Sequence, residues 1–259
     1  MASETVNMPE RRRKLPSMSV LGPVIALLVL VAIGAMMNPN FLGAGNITNV
    51  LARSAFIGII AVGMTFVITA GGLDLSVGSM AAFIAGLMIL VMNAALPSMG
   101  VGVPIILLGM AVALLAGIIA GLINGFLITT LGIEAFIVTL GTMTAFQGIG
   151  RTISGETPVR AYGKVPDAVA SLQRPYPDPE WLLVSPGVWI MLILALVVAM
   201  LLRYTVFGRH VFAIGSNEAT ARLCGINVIR TRILVYTLAG VFIGVAGLYQ
   251  FTVLGGEGD

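Results

Sequence analysis

Five polar side chains interrupt otherwise apolar stretches of this sequence: Asp74, Asn124, Thr139, Thr142 and Gln147. Hydroxyl and amide groups donate and accept hydrogen bonds without carrying charge, which suits contact with a neutral polyol better than contact with an ion. At 100° per residue, Thr139, Thr142 and Gln147 fall within a sector of about 140° on one helix face. Threonine hydroxyls also bond to the backbone of their own helix, so a structural role for this face stays open.

Asp74 lies in the stretch Gly71-Gly72-Leu73-Asp74-Leu75-Ser76-Val77-Gly78-Ser79, at or near membrane depth. An aspartate at the centre of a membrane helix costs about 2.5–3.5 kcal/mol on insertion scales, so such residues usually face a partner or a wet cavity. Asp74 is therefore a candidate for substrate or gating contacts. Alternatively it caps the helix that follows, because a helix N-terminus favours negative charge. Asn124 has two similar alternatives, a bond to a neighbouring helix or a place on a translocation path.

Small residues recur at four-residue spacing around Asn124, at Ala113, Gly117, Gly121 and Gly125. Such residues share one helix face, and their size allows another backbone to approach closely. The spacing therefore predicts a close contact between two helices at this face.

The composition places these residues in a membrane protein. Hydrophobic residues make up 58% of the chain and charged residues 10%, and the mean hydropathy is +1.04. A soluble domain carries about 25% charged residues. The net charge of +3 indicates no nucleic acid, because the basic residues lie at the ends of apolar runs. No Gly-rich nucleotide loop, catalytic arrangement or metal-ligand cluster is present in the sequence, so we expect neither an enzyme nor a metal site.

Seven uncharged runs follow a basic tail at positions 1–19 and predict an all-α polytopic inner-membrane bundle of about seven spans. A spanning helix needs about 20 apolar residues. We treat positions 20–259 as a single transmembrane domain. The runs are Val20–Met37, Ser54–Leu73, Leu75–Leu96, Val101–Ile133, Ala135–Gly150, Trp181–Leu202 and Ile233–Gly256.

The distribution of basic residues orients these spans. With the amino terminus in the cytoplasm, nine of the fourteen basic residues fall inside and five outside, as the positive-inside rule requires. Positions 151–180 then form an outer loop that is rich in proline. Positions 203–232 form a cytoplasmic loop, which has five basic residues and only Glu218 against them.

A short helix is predicted inside that cytoplasmic loop, over roughly Glu218 to Cys224. Ser216 or Asn217 can cap its start, and Gly225 can end it in the left-handed conformation. A helix of two turns is marginal in water without a partner surface. The pattern is thus typical of a docking element, although an ordinary polar loop has the same spacing.

Two stretches resemble the ribose-type ABC sugar permeases. One is the stretch Gly215-Ser216-Asn217-Glu218-Ala219-Thr220-Ala221-Arg222-Leu223-Cys224-Gly225-Ile226-Asn227-Val228, which resembles the cytoplasmic coupling loop of that family. The other is the stretch 71–79, with 63–68 before it, which resembles the same family. In that family a Glu-Ala-Ala-like helix docks into a cleft of the ATP-binding subunit. The resemblance implies that the coupling residues here are Glu218, Ala219, Leu223 and Gly225.

The resemblance, from about Phe41 onward, implies a permease subunit of a bacterial ABC importer in the inner membrane. Its substrate would be a monosaccharide, a ribose-like pentose or a hexose, delivered by a periplasmic binding protein. ATP would bind a separate ATP-binding cassette subunit, the permease would pair with a second copy or a related chain, and this chain would bind no cofactor itself. The family's permeases have further C-terminal spans, which we expect this chain to lack.

Two other classes stay open from the residues alone. An ion-coupled secondary transporter of a small polar solute would need coupling residues within spans and an internal repeat. A purely structural membrane subunit would need neither. Dependence of uptake on an ATPase partner separates the importer from both.

Overall fold

The structure, a computed structural model, describes residues 18–155 and 180–254. These residues form α-helices and one short 3₁₀ turn, Glu180–Leu182, which confirms the predicted all-α class for the described part. The helices are α1 Met18–Met37, α2 Ala44–Thr69, α3 Val77–Met99, α4 Val103–Thr130, α5 Ala135–Ser154, α6 Pro186–Tyr204, α7 Val206–Ser216, α8 Glu218–Leu223 and α9 Val228–Leu254.

Each predicted apolar run contains or overlaps one of the long helices. Five of them, α2, α3, α4, α6 and α9, are long and apolar enough to cross a membrane. The basic tail up to position 17 and most of the predicted outer loop, 156–179, lie outside the described residues. The prediction of a multi-spanning helical protein is confirmed, and the number seven stays a prediction.

The chain divides into two compact units, residues 1–47 and residues 48–259. In the first unit, Phe41 packs over Gly34 of α1, and the Asn46 side chain donates to the Phe41 carbonyl at 2.7 Å. The second unit contains every candidate functional residue.

The most extensive packing in the second unit joins α4 to α9. A Cβ on Gly117 would touch the Gly240 carbonyl, and one on Gly240 would touch the Gly117 carbonyl. One turn further along, a Cβ on Gly244 would come within 2.5 Å of the Ala113 carbonyl. Gly121 lies equally close to backbone atoms of α9. The predicted small-residue face is confirmed, and its partner is the last helix.

Aromatic ring contacts link α2 to α7 and α9, and α3 to α5. Phe66 of α2 lies between Phe207 of α7 and Phe242 of α9, with ring centroids 5.9 and 6.2 Å away. Phe83 of α3 stacks on Phe146 of α5 at 5.5 Å. Ring contacts at these distances stabilise helix pairs beyond the area that they bury.

Contacts between distant segments define the two ends of the second unit. At one end, the Tyr249 hydroxyl near the end of α9 donates to the Ala52 carbonyl near the start of α2 at 2.8 Å. At the other end, Gly215 of α7 packs against Thr69 and Gly71. We call this second end, which holds the connection 70–76 and helices α7 and α8, the coupling end.

Helix α7 was not predicted, because positions 203–232 were expected to form a loop with only one short helix. The Thr205 side chain caps it by accepting from the Gly208 amide at 3.1 Å. Val211 and Ile214, three residues apart, are buried on one face. This cap and spacing were visible in the sequence. His210 is half-buried on this helix.

Candidate functional site

Asp74, Ser76 and Asn124 form a buried polar cluster where α2 connects to α3. Asp74 Oδ1 accepts from the Ser76 amide at 2.8 Å and from the Ser76 hydroxyl at 2.6 Å. Asn124 Nδ2 donates to Ser76 Oγ at 2.9 Å and to Asp74 Oδ2 at 3.4 Å. The structure thus brings two of the five predicted path residues together, although 50 positions separate them.

The connection that carries Asp74 is held by its own backbone and by α9. Gly71 has φ +72°, a left-handed conformation that favours glycine, and the Gly72 amide donates to the Val67 carbonyl at 2.8 Å. The Tyr236 hydroxyl donates to the Leu73 carbonyl at 3.1 Å. Tyr236 is a residue of this cluster that only the tertiary structure reveals.

Burial raises the pKa of Asp74, and the hydrogen bonds from Ser76 and Asn124 partly offset the increase. The carboxylate bonds to the amide two residues ahead, so it forms a turn before α3. Asp74 thus has a structural role in a turn rather than as the cap of α3, since the N-cap residue is Ser76, and Asn124 makes the cross-helix bond that was one of its two alternatives. A direct contact of either residue with substrate stays a prediction.

One side-chain atom of Asn124 takes no part in this hydrogen-bond network. Its side chain is fully buried, and Oδ1 has no hydrogen-bond partner in the part of the chain that the structure describes. A buried acceptor without a partner is uncommon in folded proteins. Any polar group that reached this point of α4 would find a free acceptor there.

The three side chains of the polar face predicted on α5 differ in burial. Thr139 is fully buried, Thr142 is half-buried and Gln147 is exposed. The Thr139 hydroxyl donates to the Ala135 carbonyl at 2.8 Å, and that of Thr142 donates to the Thr139 carbonyl at 3.3 Å. The threonine hydroxyls therefore bond to their own helix, which was the structural alternative, and Gln147 is the most exposed of the three side chains.

Helix α8 has the caps expected for the short helix. Asn217 Oδ1 accepts from the Thr220 amide at 2.9 Å, and Gly225 follows the helix with φ +80°. The helix ends at Leu223, one residue before the predicted end. Of the two candidates for the cap, Asn217 is the cap and Ser216 is the last residue of α7.

One face of α8 is anchored and the other is open. Ala221 is buried and packs with Ile214 of α7 and Val228 of α9. Leu223 is 89% exposed, and Ala219 and Gly225 are exposed as well. The three small or apolar residues predicted for coupling thus lie on the surface of the chain.

Glu218 is fixed by two arginines of its own chain. Its carboxylate pairs with Arg222 Nη2 and with Arg232 Nη2, each at 2.7 Å. The hydrogen bond from Arg222 and the charges of both arginines hold the pKa of Glu218 below its usual value. Arg222 is four residues along the same helix and could be read from the sequence, whereas Arg232 comes from α9 and could not.

A polar cavity of about 270 Å³ lies beside this ion pair. Its walls come from the connection 70–76, the turn between α4 and α5, and helices α8 and α9. The charged and polar residues that line it include Glu134, Glu218, Arg222, Arg232 and Tyr236. The described residues contain no group of acidic, histidine and cysteine side chains that could hold a metal ion.

Comparison with known proteins places this arrangement in a family. The family described as branched-chain amino acid transport system / permease component matches residues 46–257. The chain is 37% identical over 225 residues to the ribose import permease protein RbsC of Haemophilus influenzae, covering 86% of this chain and 66% of that protein. It is 36% identical over 231 residues to RbsC of Escherichia coli K12, covering 88% and 67%.

A relative named for another sugar matches to a similar degree. The chain is 36% identical over 230 residues to the L-arabinose ABC transporter permease protein AraH of Azospirillum brasilense, covering 88% of this chain and 62% of that protein. The chain thus spans about two thirds or slightly less of the length of these relatives. No solved structure matches it significantly. The chain belongs to this family of ABC transport permease components, and its predicted likeness to the ribose-type permeases is confirmed.

Proposed function

We propose that the chain is the membrane-spanning permease of an importer for a monosaccharide, a ribose-like pentose or a hexose. A periplasmic binding protein delivers the sugar, and a separate ATP-binding subunit, docked at the coupling end, drives transport. The names of the relatives, which include ribose and arabinose permeases, support the sugar class. The chain works beside a second permease copy in the inner membrane, with its amino terminus in the cytoplasm.

The observation that carries this proposal is the exposed face of α8. A six-residue helix cannot hold itself in water, and here its caps, Ala221 and the Glu218 ion pairs fix it to α7 and α9. The outward-facing residues of α8 do not contribute to this attachment within the described chain. Leu223 in particular leaves 89% of its surface open, which a partner's cleft would cover.

The path for the sugar is the second part of the proposal. Gln147 presents an amide on the exposed face of α5, and Asn124 has a free acceptor inside the bundle. Asp74, Thr139 and Thr142 support the walls from which these groups project. Neutral donors and acceptors of this kind suit the hydroxyls of a sugar.

Two substitutions on α8 test the docking. Ala219→Asp places a charge on an exposed position, so the free chain should fold, but the charge would lose its water in a packed interface. Gly225→Val puts a β-branched residue at φ +80° and disturbs the end of the helix. We expect each variant to lose co-purification of the ATP-binding subunit while membrane levels of the permease, measured by blot, stay normal.

Matched controls at the same positions sharpen the result. Ala219→Ser keeps a small neutral side chain, and Gly225→Asn keeps a residue that tolerates positive φ, so both should retain the partner. Retained binding in Ala219→Asp and Gly225→Val would contradict the docking role of α8. Sugar uptake that persists without the ATPase and stops when the ion gradient is collapsed would instead favour the ion-coupled transporter.

A further inference from the structure

A groove on the second unit runs between α2, α6 and α7, separate from the polar cluster and from α8. It encloses about 690 Å³ and is lined by Val62, Thr65, Ala195, Ala199, Leu202 and Phe212, among others. The Thr65 hydroxyl donates to the Ala61 carbonyl at 3.0 Å, so its one hydrogen-bond donor is used within α2. The groove therefore presents an almost wholly apolar wall.

Two arginines close one end of this groove. Arg203, at the end of α6, and Arg209, on α7, both line it and both are exposed. Neither has a carboxylate partner among the described residues, since the ion pairs there belong to Glu218. Arg203 instead lies over the Tyr204 ring, 5.5 Å from its centroid. The groove is thus apolar along its length and cationic at the coupling end.

The helix that forms one wall faces outward more than the other spans. In the most apolar 18-residue stretch of α6, only 22% is buried within the chain, which is the lowest share among the five candidate spans. Exposed apolar helix surface in a membrane protein is solvated by lipid tails. Phe212, three residues after Arg209, lies on the exposed side of α7, where an aromatic ring suits the membrane boundary.

We propose that this groove binds an anionic phospholipid. One acyl chain lies between α2 and α6, and the phosphate of the headgroup pairs with Arg203 and Arg209. An acyl chain matches the apolar wall, and the headgroup supplies the negative charge that the two arginines lack within the described chain. The proposal depends on the membrane placement of these helices and not on the identity of the transported sugar.

Lipid binding to the purified full chain tests the proposal. In detergent, native mass spectrometry would compare dioleoyl phosphatidylglycerol with dioleoyl phosphatidylcholine, which share their acyl chains and differ in headgroup charge. We expect roughly tenfold tighter binding of phosphatidylglycerol, because two arginines act on one phosphate-bearing anion. The double variant Arg203→Gln/Arg209→Gln should bind both lipids equally.

Two matched controls complete the experiment. Arg230→Gln removes an exposed arginine outside the groove and should leave the preference intact. Ala199→Trp fills the groove and should weaken both lipids, whereas Leu196→Trp, on an exposed part of α6 outside the groove, should not. Equal binding of the two lipids to the unaltered chain would overturn the proposal. So would a loss of preference in Arg230→Gln as large as in the double variant, or occupation of the groove by a second copy that excludes lipid.

Discussion

Asp74 holds the connection between α2 and α3 through the two hydrogen bonds that it accepts from Ser76. The same hydroxyl accepts from Asn124, so three residues from two segments share one hydrogen-bond network. In a buried site, a polar group left without its partner costs more than the bond itself contributes. At the residue scale, substitution of Asp74 therefore tests whether this side chain stabilises the fold.

Replacement of Asp74 by alanine should lower the stability of the chain. Asp74→Ala removes the acceptor for the Ser76 amide and hydroxyl and leaves the Asn124 amide with one partner fewer, at a cost of about 1–3 kcal/mol. Asp74→Asn keeps an acceptor at Oδ1 and should cost less. Thermal unfolding in detergent measures both changes. Full stability of Asp74→Ala would refute the structural role.

The pH dependence of the free energy of unfolding gives an independent test of the raised pKa of Asp74. Burial raises the pKa of Asp74 in the folded chain above its ordinary value of 3.8. Between the two pKa values the folded state binds more protons than the unfolded state, so the stability due to Asp74 is lost as pH rises through that window. Asp74→Asn should not show this loss relative to the unaltered chain. A stability advantage of the unaltered chain over Asp74→Asn that shrinks as pH falls would have the wrong sign.

Helices α4 and α9 meet through glycines on both sides. This contact involves backbone carbonyls rather than flexible side chains, so an added methyl group cannot be accommodated by rotation of a neighbour. Close packing of small residues is a main source of helix association in membranes, where no hydrophobic effect operates between helices. At the element scale, this pair is therefore the most sensitive part of the fold.

Gly117→Ala should separate the two helices. The new methyl group would meet the Gly240 carbonyl, and overpacking of this kind costs about 1–3 kcal/mol. Gly86→Ala is the matched control, because a Cβ at Gly86 on α3 meets nothing within 4 Å. Unfolding of both variants in detergent, followed by circular dichroism, makes the comparison. Equal stability of the two would show that the α4–α9 contact is less tight than the backbone indicates.

At the scale of the whole molecule, the arginines are distributed unevenly between the two ends of the second unit. Within the described ranges, Arg203, Arg209, Arg222, Arg230 and Arg232 lie on or beside α7 and α8, at the coupling end. Arg53 and Arg151 lie toward the other ends of α2 and α5. This asymmetry favours a cytoplasmic coupling end.

Labelling of single cysteines tests that direction. The native Cys224 is free and exposed beside α8, and Val101, between α3 and α4, is exposed at the connection that should face the periplasm. We expect a membrane-impermeant maleimide to label Val101→Cys, made in a Cys224→Ser background, in intact spheroplasts. The native Cys224 should react only after the membrane is opened. Labelling of both positions from the same side would contradict the topology.

Much of this protein could be predicted from its sequence, because the decisive signals are local. Apolar runs of about 20 residues locate the long helices, since a helix of about that length crosses the hydrocarbon core of a bilayer. The cap at Asn217 and the glycine at position 225 predict α8 because both satisfy orphan backbone groups within a few residues. The four-residue spacing of small residues on α4 likewise predicts a contact face.

The tertiary structure decided what those local signals could not. The small-residue face of α4 has α9 as its partner, Arg232 reaches Glu218, and Asn124 meets Asp74, all through contacts between distant segments. The residue types at 74 and 124 allow either a path or a scaffold, and only the tertiary structure shows which hydrogen bonds the two side chains make. Periodicity states which side of a helix is polar or small, but the neighbour on that side follows from the packing of the whole bundle.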